Sequence, residues 1–570
     1  MTPFWFVVSA LLAYGIAFRV YGKWYDRKVW QPDANRMTPA HMYLDGVEFF
    51  PVNRYVLWGY QFKSVAALGP ILGPFIALKY GWLPALLWII VGNFFIGWLQ
   101  DYGSIMVSVR NEGRSFGPLS YELTGPQGRA TLLGFILFYL VIISAVVIFL
   151  VATFWNVFPG TFVATMGVFA TGVLAGHLLY KRRMNVVHVT LIALGLVGAS
   201  IVLGLKIPTP RDFLGGWTIA FWAAVACGVL YLGAVLPLPK FIQPVNYVAF
   251  FPAFAAIVLI LVGSLASPVS GVKLQQPAWR GFYDSTVGPL WPMMFVAIAC
   301  GSISGWHSLV GSSSTSKQLD VEPDAHPVGA GAMLSEGLLA LASLAAYMVL
   351  APAETSISNF DAWVTGAVRL TSPFLGGTGA VAVLTTYFGL MLVLYGLTVQ
   401  VLVTRFWRLV CAEVTNGTPF ALLGHKHVAS FTGVFLPWIL AISGSWYSLW
   451  FYFGGANQLL AGLALMLISI YLAKVKSWPK FTFIPAVFMM TTTLAALAVQ
   501  TWFFIRAGYI DNAPLIREPL SHYPLVAFAI NNAFIGVGVV LILLGLRMAN
   551  LTLRAYHRYS ARPAVAPADD

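Results

Sequence analysis

The sequence predicts an all-α polytopic membrane protein, and three observations lead to this prediction. Of the 570 residues, 59% are hydrophobic and only 9% are charged, with a mean hydropathy of +0.79, whereas soluble domains carry about 25% charged residues. The apolar residues form runs of about 20, the length that an α-helix needs to cross a bilayer. These runs are continuous, whereas the strands of a membrane β-barrel alternate polar and apolar residues.

Counting the apolar runs predicts about fifteen transmembrane helices. The first run lacks the charged region and the cleavage site of a secretory signal, so we interpret 1–21 as a retained N-terminal helix. Segment 22–63 is expected to be cytoplasmic, 64–547 to form one polytopic bundle, and 548–570 to be a disordered tail. The predicted helices are 3–21, 64–80, 83–108, 131–155, 161–180, 185–206, 216–236, 245–266, 287–309, 329–352, 377–404, 429–445, 447–473, 481–505 and 525–547.

The distribution of basic residues predicts the orientation in the membrane. If the spans alternate from an outside N-terminus, most of the 33 Lys and Arg residues fall on one side, and cationic loops face the cytoplasm. We therefore expect a multi-pass protein of the inner (cytoplasmic) membrane with its C-terminus in the cytoplasm. The net charge of +13 does not indicate a nucleic-acid partner, because the basic residues are scattered in short loops.

No motif of an enzyme or of a cofactor site occurs in the sequence. We find no nucleophile elbow, HExxH motif, P-loop or phosphate-binding glycine fingerprint. Cys227, Cys300 and Cys411 lie within or beside apolar runs and lack a metal-ligand spacing. We therefore expect no enzyme activity, no cofactor and no metal, and any pumping would use an ion gradient unless another subunit supplies ATP hydrolysis.

Polar interruptions of the apolar runs point to the site. Lipid supplies no hydrogen-bond partners, so irregular backbone survives only against protein or a water-filled cavity. The first interruption is ALGPILGPFIAL, with Gly69, Pro70, Gly73 and Pro74. It indicates either a discontinuous helix that lines a substrate or ion site, or a simple kink with tight packing of small residues.

The second interruption, VGNFFIGWLQDYGS, places Asn93 near the middle of a span and Gln100 and Asp101 deeper toward the inner face. An aspartate in a span costs about 2.5–3.5 kcal/mol on insertion scales unless it is paired or hydrated. Asp101 is therefore expected to face the interior, where it could take a proton, bind a cation or pair with Arg110 or Arg114. The alternative is an interfacial carboxylate that only fixes topology.

The third interruption, GSISGWHSLVGSSSTSKQL, directly follows the apolar run LWPMMFVAIAC. Gly301 and Gly305 share a helix face and permit close packing, and His307 could relay a proton near neutral pH. Hydroxyl groups both donate and accept, as a site for carboxylates, amides or ions requires. The alternative is a helix end capped at the cytoplasm. The proposed polar wall consists of Ser302, Ser304, His307, Ser313, Ser314 and Thr315.

Two further spans carry polar residues. Glu336 lies in GAGAMLSEGLLALASL, and Asn457 and Gln458 interrupt LWFYFGGANQLLAGLAL. The two amides either line the substrate site, as Asn93 would, or only link helices by hydrogen bonds worth about 0.6–2 kcal/mol. We predict that Asp101, His307 and Glu336 couple transport to a proton or another cation.

Several long motifs resemble the carbon starvation protein A (CstA) family. They occur in order from Gly46 to Leu465: GVEFFPVNRYVLWGYQF, ALGPILGP, LWIIVGNFFIGWLQDYGSIMVSVRNEGRS, ACGSISGWHSLVGSSSTSKQL and FGGANQLLAGLAL. The resemblance implies an inner-membrane protein that takes up peptides or, in some members, pyruvate. It also implies a LeuT-like core of the amino acid–polyamine–organocation superfamily, with an inverted five-plus-five helix repeat.

The chain departs from the family pattern at two places. Where the family tends to carry an LDTATR-like stretch, this chain reads QVLVTRFWR, in which Thr404 and Arg405 match and Val401 occupies the acidic position. The serine-rich motif reads SSST where SSGT is more usual. If the missing aspartate helps to couple a cation elsewhere in the family, coupling in this chain must differ, and the substrate could differ too.

The predicted function is secondary active transport. We expect uptake of short peptides first, and of pyruvate or another small carboxylate or amino acid second, driven by H⁺ or Na⁺. A channel would need a filter repeat, which is not visible, and a sensor would need a signalling domain. The expected partners are the nutrient, the coupling ion and the bilayer; the sequence does not predict the oligomeric state.

Overall fold

The computed structural model describes residues 1–237, 240–298, 300–356, 359–443, 445–511 and 523–561. Within these residues the only strands are Tyr283–Asp284 and Gly288–Pro289, which pair antiparallel in one extramembrane loop. Nearly all of the remaining regular structure is helical. The prediction of an all-α polytopic protein is confirmed.

Twelve helices of the described residues are long and apolar enough to cross a membrane. A thirteenth span would consist of Arg54–Val65 and Gly69–Tyr80, two helices that meet at an angle of 51°. The twelve are Phe4–Trp30, Trp82–Val109, Pro126–Val157, Thr161–Lys181, Val186–Lys206, Gly215–Val235, Ile242–Leu265, Glu322–Met348, Gly377–Thr415, Trp446–Lys474, Lys480–Tyr509 and Pro524–Ala561.

Two of the predicted spans correspond to shorter helices. Segment 287–309 contains Leu290–Ala297 and Gly305–Ser313 with irregular backbone between them, and segment 429–445 corresponds to the 16-residue helix Lys426–Ala441. Shorter helical pieces connect the spans: Pro39–Met42, Phe116–Thr124, Ser267–Ser270, Thr315–Lys317, Pro352–Thr355, Ala362–Thr371, Ser372–Phe374 and Ala421–Gly424.

Several helices extend beyond their apolar runs. The first helix continues to Trp30, helix Arg54–Val65 begins well before the expected position 64, and the last helix continues to Ala561. Residues 548–561, expected to be disordered, are therefore helical, and 562–570 lie outside the described residues. A helix satisfies its own backbone hydrogen bonds, so it can continue into the interface where polar side chains reach water.

The spans form a buried centre and a lipid-facing periphery. The most apolar window of Trp446–Lys474 is entirely buried, and that of Glu322–Met348 is 89% buried, whereas that of Phe4–Trp30 is only 22% buried. Helices that carry polar residues in their middle thus pack against other helices and not against lipid. The site described below lies among these central helices.

Candidate functional site

The first span of the site is broken just before its glycine–proline pairs. Helix Arg54–Val65 ends where Ala66 takes an extended conformation (φ −66°, ψ 103°), and the next helix begins at Gly69. Pro70 occupies the first turn, where its missing N–H has no intrahelical partner to lose. Gly73 and Pro74 lie inside the new helix. The break therefore covers residues 66–68, directly N-terminal to the four predicted residues.

A second break separates two short helices. Helix Leu290–Ala297 ends, the described residues 298 and 300–304 are irregular, and Ser304 is extended (φ −146°, ψ 129°) before helix Gly305–Ser313 begins. Ser302 and Ser304 lie within this break, and His307 lies in the first turn of the following helix. The sequence motif thus marks a real interruption of the span.

Glycines bring the two broken spans into contact. A Cβ atom on Gly69 would lie 2.6 Å from Cys300 Sγ, and one on Gly73 would lie 2.7 Å from the Ala297 carbonyl oxygen. A Cβ on Gly301 would likewise approach Pro70 Cα to 3.3 Å. The helix is thus discontinuous and its glycines pack tightly, whereas the lining of a substrate or ion site by these residues stays a prediction.

The three residues predicted for ion coupling form one cluster, which we call the buried triad: Asp101, His307 and Glu336. His307 Nδ1 and Asp101 Oδ2 are hydrogen-bonded at 2.8 Å. His307 Nε2 also lies 2.8 Å from Glu336 Oε2, but without the alignment of a hydrogen bond. All three side chains are completely buried. The imidazole therefore lies between two carboxylates and is hydrogen-bonded to that of Asp101.

Asn457 holds the start of the second half-helix. Its Oδ1 accepts hydrogen bonds from the Trp306 amide at 3.2 Å and from Tyr139 Oη at 3.0 Å. Its Nδ2 lies 3.1 Å from Ser304 Oγ and 3.3 Å from Cys300 Sγ. Asn457 thus satisfies an amide group at a helix start, which has no partner within the helix.

Asn93 and Gln458 bind the irregular backbone of the second break. Asn93 Nδ2 donates to the Gly301 carbonyl at 2.6 Å, and Gln458 Nε2 donates to the carbonyls of Phe295 and Ile298 at 2.9 and 3.2 Å. Buried carbonyl groups outside a helix need such partners. Both amides therefore contact the break that carries the site, although neither lines the cavity described below.

A row of hydroxyl groups that the sequence analysis missed joins helix Trp98–Val109 to helix Gly305–Ser313. Ser104 Oγ lies 2.9 Å from Ser308 Oγ, and Ser108 Oγ lies 2.8 Å from Ser316 Oγ. Ser104 and Ser108 are four residues apart, which places them on one face of helix Trp98–Val109 and was the available signal. Ser316 lies in the short helix Thr315–Lys317 that follows Gly305–Ser313. The hydroxyl groups join the two segments next to the buried triad, since Ser308 directly follows His307 and Ser104 lies about one helical turn after Asp101.

A cavity of about 390 Å³ lies on the side that the charge distribution predicts to be cytoplasmic. Ser313 and Ser314, two residues of the predicted polar wall, line it. Thr315, expected in the same wall, is buried and hydrogen-bonds to Gln61. Ser302 does not reach this cavity either, since its hydroxyl group donates to the Trp88 carbonyl at 3.1 Å. The charged residues of the lining are Glu48, Lys317, Arg405 and Glu413.

Two aromatic residues of the cavity lining connect the broken spans. Tyr60 Oη lies 2.7 Å from Ser314 Oγ, and Trp306 Nε1 donates to the Ser64 carbonyl at 3.0 Å. Both aromatic residues line the cavity, whereas none of the triad residues does. Trp306 directly precedes His307, so one of these contacts lies next to the triad in the sequence.

The rim of the cavity is ordered by a turn around Asp45. Hydrogen bonds from the amide groups of Phe49, Val47 and Glu48 lower the pKa of Asp45 below its usual value. The turn brings Glu48 Oε2 to 2.8 Å from Lys317 Nζ. Part of the expected cytoplasmic segment is thus a structured wall of the cavity.

Lys63 is the charged residue of the site that the sequence analysis missed. It is 1% exposed, and its ammonium group donates to Thr398 Oγ1 at 2.5 Å and lies 5.1 Å from the centre of the Tyr395 ring. Placing the start of the span at 64 assigned this residue to the cytoplasmic segment. A lysine three residues before the break was the signal that could have identified it.

The unusual residue Val401 lies apart from the triad. It is buried, and a Cβ atom on Gly233 would lie 2.5 Å from its Cγ1 atom. Arg405, one turn further, donates to the Leu236 carbonyl at 2.6 Å. An apolar side chain therefore fills a tight helix contact at the position where the family tends to carry an acid.

Comparison with solved structures finds remote likenesses to membrane transporters. MhsT in complex with L-phenylalanine is 14% identical, with a TM-score of 0.45 over 86% of this chain and 99% of that chain. A manganese transporter of Eremococcus coleocola is also 14% identical, with a TM-score of 0.39 over 90% of this chain and 99% of that chain. These scores carry no argument about architecture, so the inverted-repeat core stays a prediction.

Comparison with curated proteins finds much closer relatives. The pyruvate/proton symporter BtsT of Escherichia coli is 32% identical over 62% of this chain, which spans 50% of that relative. The peptide transporter CstA of Escherichia coli is 29% identical over 86% of this chain and 80% of the relative. The family described as carbon starvation protein CstA matches residues 2–369 and 353–496. Since these matches cover most of the chain, the protein belongs to the carbon starvation protein CstA family.

Proposed function

We propose that this protein is a secondary active transporter of the inner membrane that couples uptake of a small nutrient to a proton gradient. One observation carries the proposal: Asp101, His307 and Glu336 form a completely buried triad beside two broken spans. Ionisable groups in spans are costly and usually serve ion pathways or proton relays. Broken helices allow the backbone around such a site to move.

The geometry favours a proton over sodium as the coupling ion. His307 occupies the space between the two carboxylates, at 2.8 Å from one oxygen of each. Na⁺ would need oxygen ligands in that space, whereas a proton can bind to the existing groups. Gain or loss of one proton changes the net charge of the triad and hence the strength of its contacts between helices.

The cavity favours a zwitterionic substrate, and a short peptide is therefore the first candidate. Arg405 and Lys317 line it together with Glu48 and Glu413, so both signs of charge are present. Its volume of about 390 Å³ lies within the usual range of about 300–1,000 Å³ for ligand pockets. Relatives that this chain covers to 80% of their length are named peptide transporters.

Pyruvate is the second candidate. The relative named a pyruvate/proton symporter shares 32% identity with this chain over 367 residues, 62% of the chain. Pyruvate offers a carboxylate for the cationic groups, but it has no ammonium group to match Glu48 or Glu413. Other small carboxylates and amino acids remain further candidates by the same chemistry.

The test is uptake by purified protein in liposomes under an imposed pH gradient, with labelled dialanine and pyruvate as separate substrates. Asp101→Asn keeps the size of the side chain but removes the charge next to His307, so proton-driven accumulation should fall to background. Exchange of substrate across the membrane without a gradient should persist. The matched control is Asp361→Asn, at an exposed position away from the triad.

Other outcomes would contradict parts of the proposal. Unchanged proton-driven uptake by Asp101→Asn would remove the triad from coupling. Accumulation driven by a sodium gradient alone would replace the proton by sodium. Equilibration without accumulation against a gradient would indicate a channel, which is the alternative from another functional class.

A further inference from the structure

We infer that Lys63 binds the carboxylate group of the substrate and forms one charge-balanced cluster with the buried triad. The inference rests on the proposed function, because it names a binding residue of the same site. It starts from a buried cation whose hydrogen-bonding capacity is largely unused and that lies at the end of a broken helix.

The surroundings of Lys63 leave room for a negatively charged partner. An ammonium group has three donors, yet only Thr398 Oγ1 accepts from it among the described residues, and the Tyr395 ring covers another side. None of the described carboxylates forms an ion pair with it. A buried charge is costly unless it is paired and hydrogen-bonded, so a ligand carboxylate would remove a large part of this cost.

The position of Lys63 connects it to both breaks. Helix Arg54–Val65 ends two residues later, and this helix packs against Glu322–Met348 and Gly377–Thr415. Trp306 of the second broken span donates to the carbonyl of Ser64, the residue next to Lys63. A ligand held by Lys63 would therefore touch the elements that must move in a transport cycle.

Several ionisable groups face this region. The helix that carries Lys63, Arg54–Val65, packs against Gly331–Met348, the helix that carries Glu336, and both oxygens of Glu336 lack a hydrogen bond. Tyr395 of helix Gly377–Thr415 and Cys300 of the second break are the neutral neighbours. The remaining groups around Glu336 are His307 and Asp101 of the triad.

The charges of the cluster balance. Asp101 and Glu336 contribute two negative charges when ionised, and His307 and Lys63 contribute two positive charges when protonated. One additional proton on a carboxylate leaves a net charge of +1, and one bound substrate carboxylate returns it to zero. Because a net charge buried in the membrane is costly, proton and carboxylate should bind together, one for one.

The carboxylate would reach Lys63 from the cavity. Tyr60, about one helical turn before Lys63, lines the cavity, and its hydrogen bond to Ser314 and that of Trp306 to Ser64 close the way. Separation of these two contacts would open the cavity to Lys63. The same carboxylate chemistry fits a peptide C-terminus and pyruvate, and the experiment distinguishes the two.

The experiment compares the wild-type protein with Lys63→Gln, Lys63→Arg and the exposed-site control Lys480→Gln. Binding of pyruvate, dialanine and dialanine amide is measured on detergent-solubilised protein by calorimetry, and uptake of the first two in liposomes. Loss of a charged hydrogen bond predicts that Lys63→Gln weakens carboxylate binding about 10- to 100-fold. Lys63→Arg should restore part of the affinity, and dialanine amide should bind poorly to the wild type.

The outcomes separate this inference from the proposed function. Transport by the wild type together with unchanged KM values in Lys63→Gln would show that Lys63 does not bind the substrate carboxylate (the anchor role). The proposal of a secondary transporter (the carrier) would remain. Lysine-dependent carboxylate binding without proton-driven uptake would support the anchor and contradict the carrier. If wild-type protein binds no carboxylate, or binds dialanine amide as well as dialanine, the anchor is wrong. If Lys63→Gln does not fold, the comparison of the acid with the amide in wild-type protein decides.

Uptake in the presence of a pH-sensitive dye tests the charge balance. Wild-type protein should take up one proton with each pyruvate, because the carboxylate is the only charge of that substrate. Pyruvate uptake without proton influx would contradict the one-for-one coupling.

Discussion

Asn457 connects three parts of the site through a single side chain. Its amide group contacts the Trp306 backbone, the Tyr139 hydroxyl and Ser304, so it spans the second break and two other helices. No local pattern in the sequence shows which residues an asparagine in a span will bind. The structure shows the link between helices, and Asn457 does not line the cavity, so its role in substrate binding stays a prediction.

The residue Asn457 provides a test of this role. Asn457→Leu keeps a similar volume but leaves the Trp306 amide and the Tyr139 hydroxyl without their partner, at about 1–3 kcal/mol for each buried unsatisfied group. We expect a lower melting temperature in detergent and a loss of substrate uptake. Asn416→Leu changes an exposed asparagine and should leave both unchanged. A variant with normal stability and normal uptake would show that the half-helix does not depend on Asn457.

The site residues differ in how far the sequence could identify them. Asp101, His307 and Glu336 are ionisable residues within apolar runs, and the cost of such groups already predicts that they face the interior. The partner of Asp101 was not predicted, because the structure pairs it with His307 and not with Arg110 or Arg114. The sequence analysis did not identify Lys63, because the place where the amino-acid composition becomes apolar does not show that the helix begins earlier. Thr315 does not line the cavity as Ser313 and Ser314 do. The serine-rich motif turns between Ser314 and Lys317, so neighbouring hydroxyl groups face different surroundings.

At the scale of elements, the close approach of the two broken spans depends on glycine. The Gly73 Cβ position lies 2.7 Å from both the Ala297 carbonyl oxygen and Ile298 Cα, which belong to the backbone of the other span. Backbone atoms cannot rotate away as a side chain can. The break in one span and the glycines in the other are therefore parts of one contact.

The contact predicts unequal effects of two Gly→Ala substitutions. Gly73→Ala should push the spans apart, at about 1–3 kcal/mol for an overpacked core position, and should lower the melting temperature and the substrate affinity. Gly134→Ala is the matched control, because its Cβ would meet nothing within 4 Å, and alanine favours a helix by up to about 1 kcal/mol. Equal melting temperatures for the two variants would contradict the described contact.

Element boundaries were less predictable than element type. Continuous apolar runs identify a helix because the hydrocarbon core demands one. They do not show where the helix ends, since its hydrogen bonds continue into the interface, as at Trp30 and Ala561. The bend before Gly69 was indicated by its prolines, but its exact place depends on contacts with the second break.

At the scale of the whole molecule, the cavity and the triad are separate. The cavity is lined by Trp306 and Tyr60, whereas the side chains of Asp101, His307 and Glu336 are completely buried and do not line it. A carrier must open each side in turn, and ligands shift the populations of such states. Chemical labelling of a cysteine in the cavity can therefore show from which side of the membrane the cavity is open.

The orientation and the cycle predict the labelling of Ser313→Cys by a membrane-impermeant maleimide. Ser313 lines the cavity, whereas the neighbouring Ser312 is 0% exposed and bonds to the Ser308 carbonyl. We expect labelling of Ser313→Cys in inside-out vesicles and not in right-side-out vesicles. Ser312→Cys and the parent protein are the unreactive controls, because the three cysteines of the parent protein are buried. A proton gradient with pyruvate or dialanine should slow the labelling, because it shifts molecules toward states in which the cavity is closed to the cytoplasm. Labelling from the outside would reverse the proposed topology, and a rate that does not respond to any substrate would contradict a cycle through this cavity.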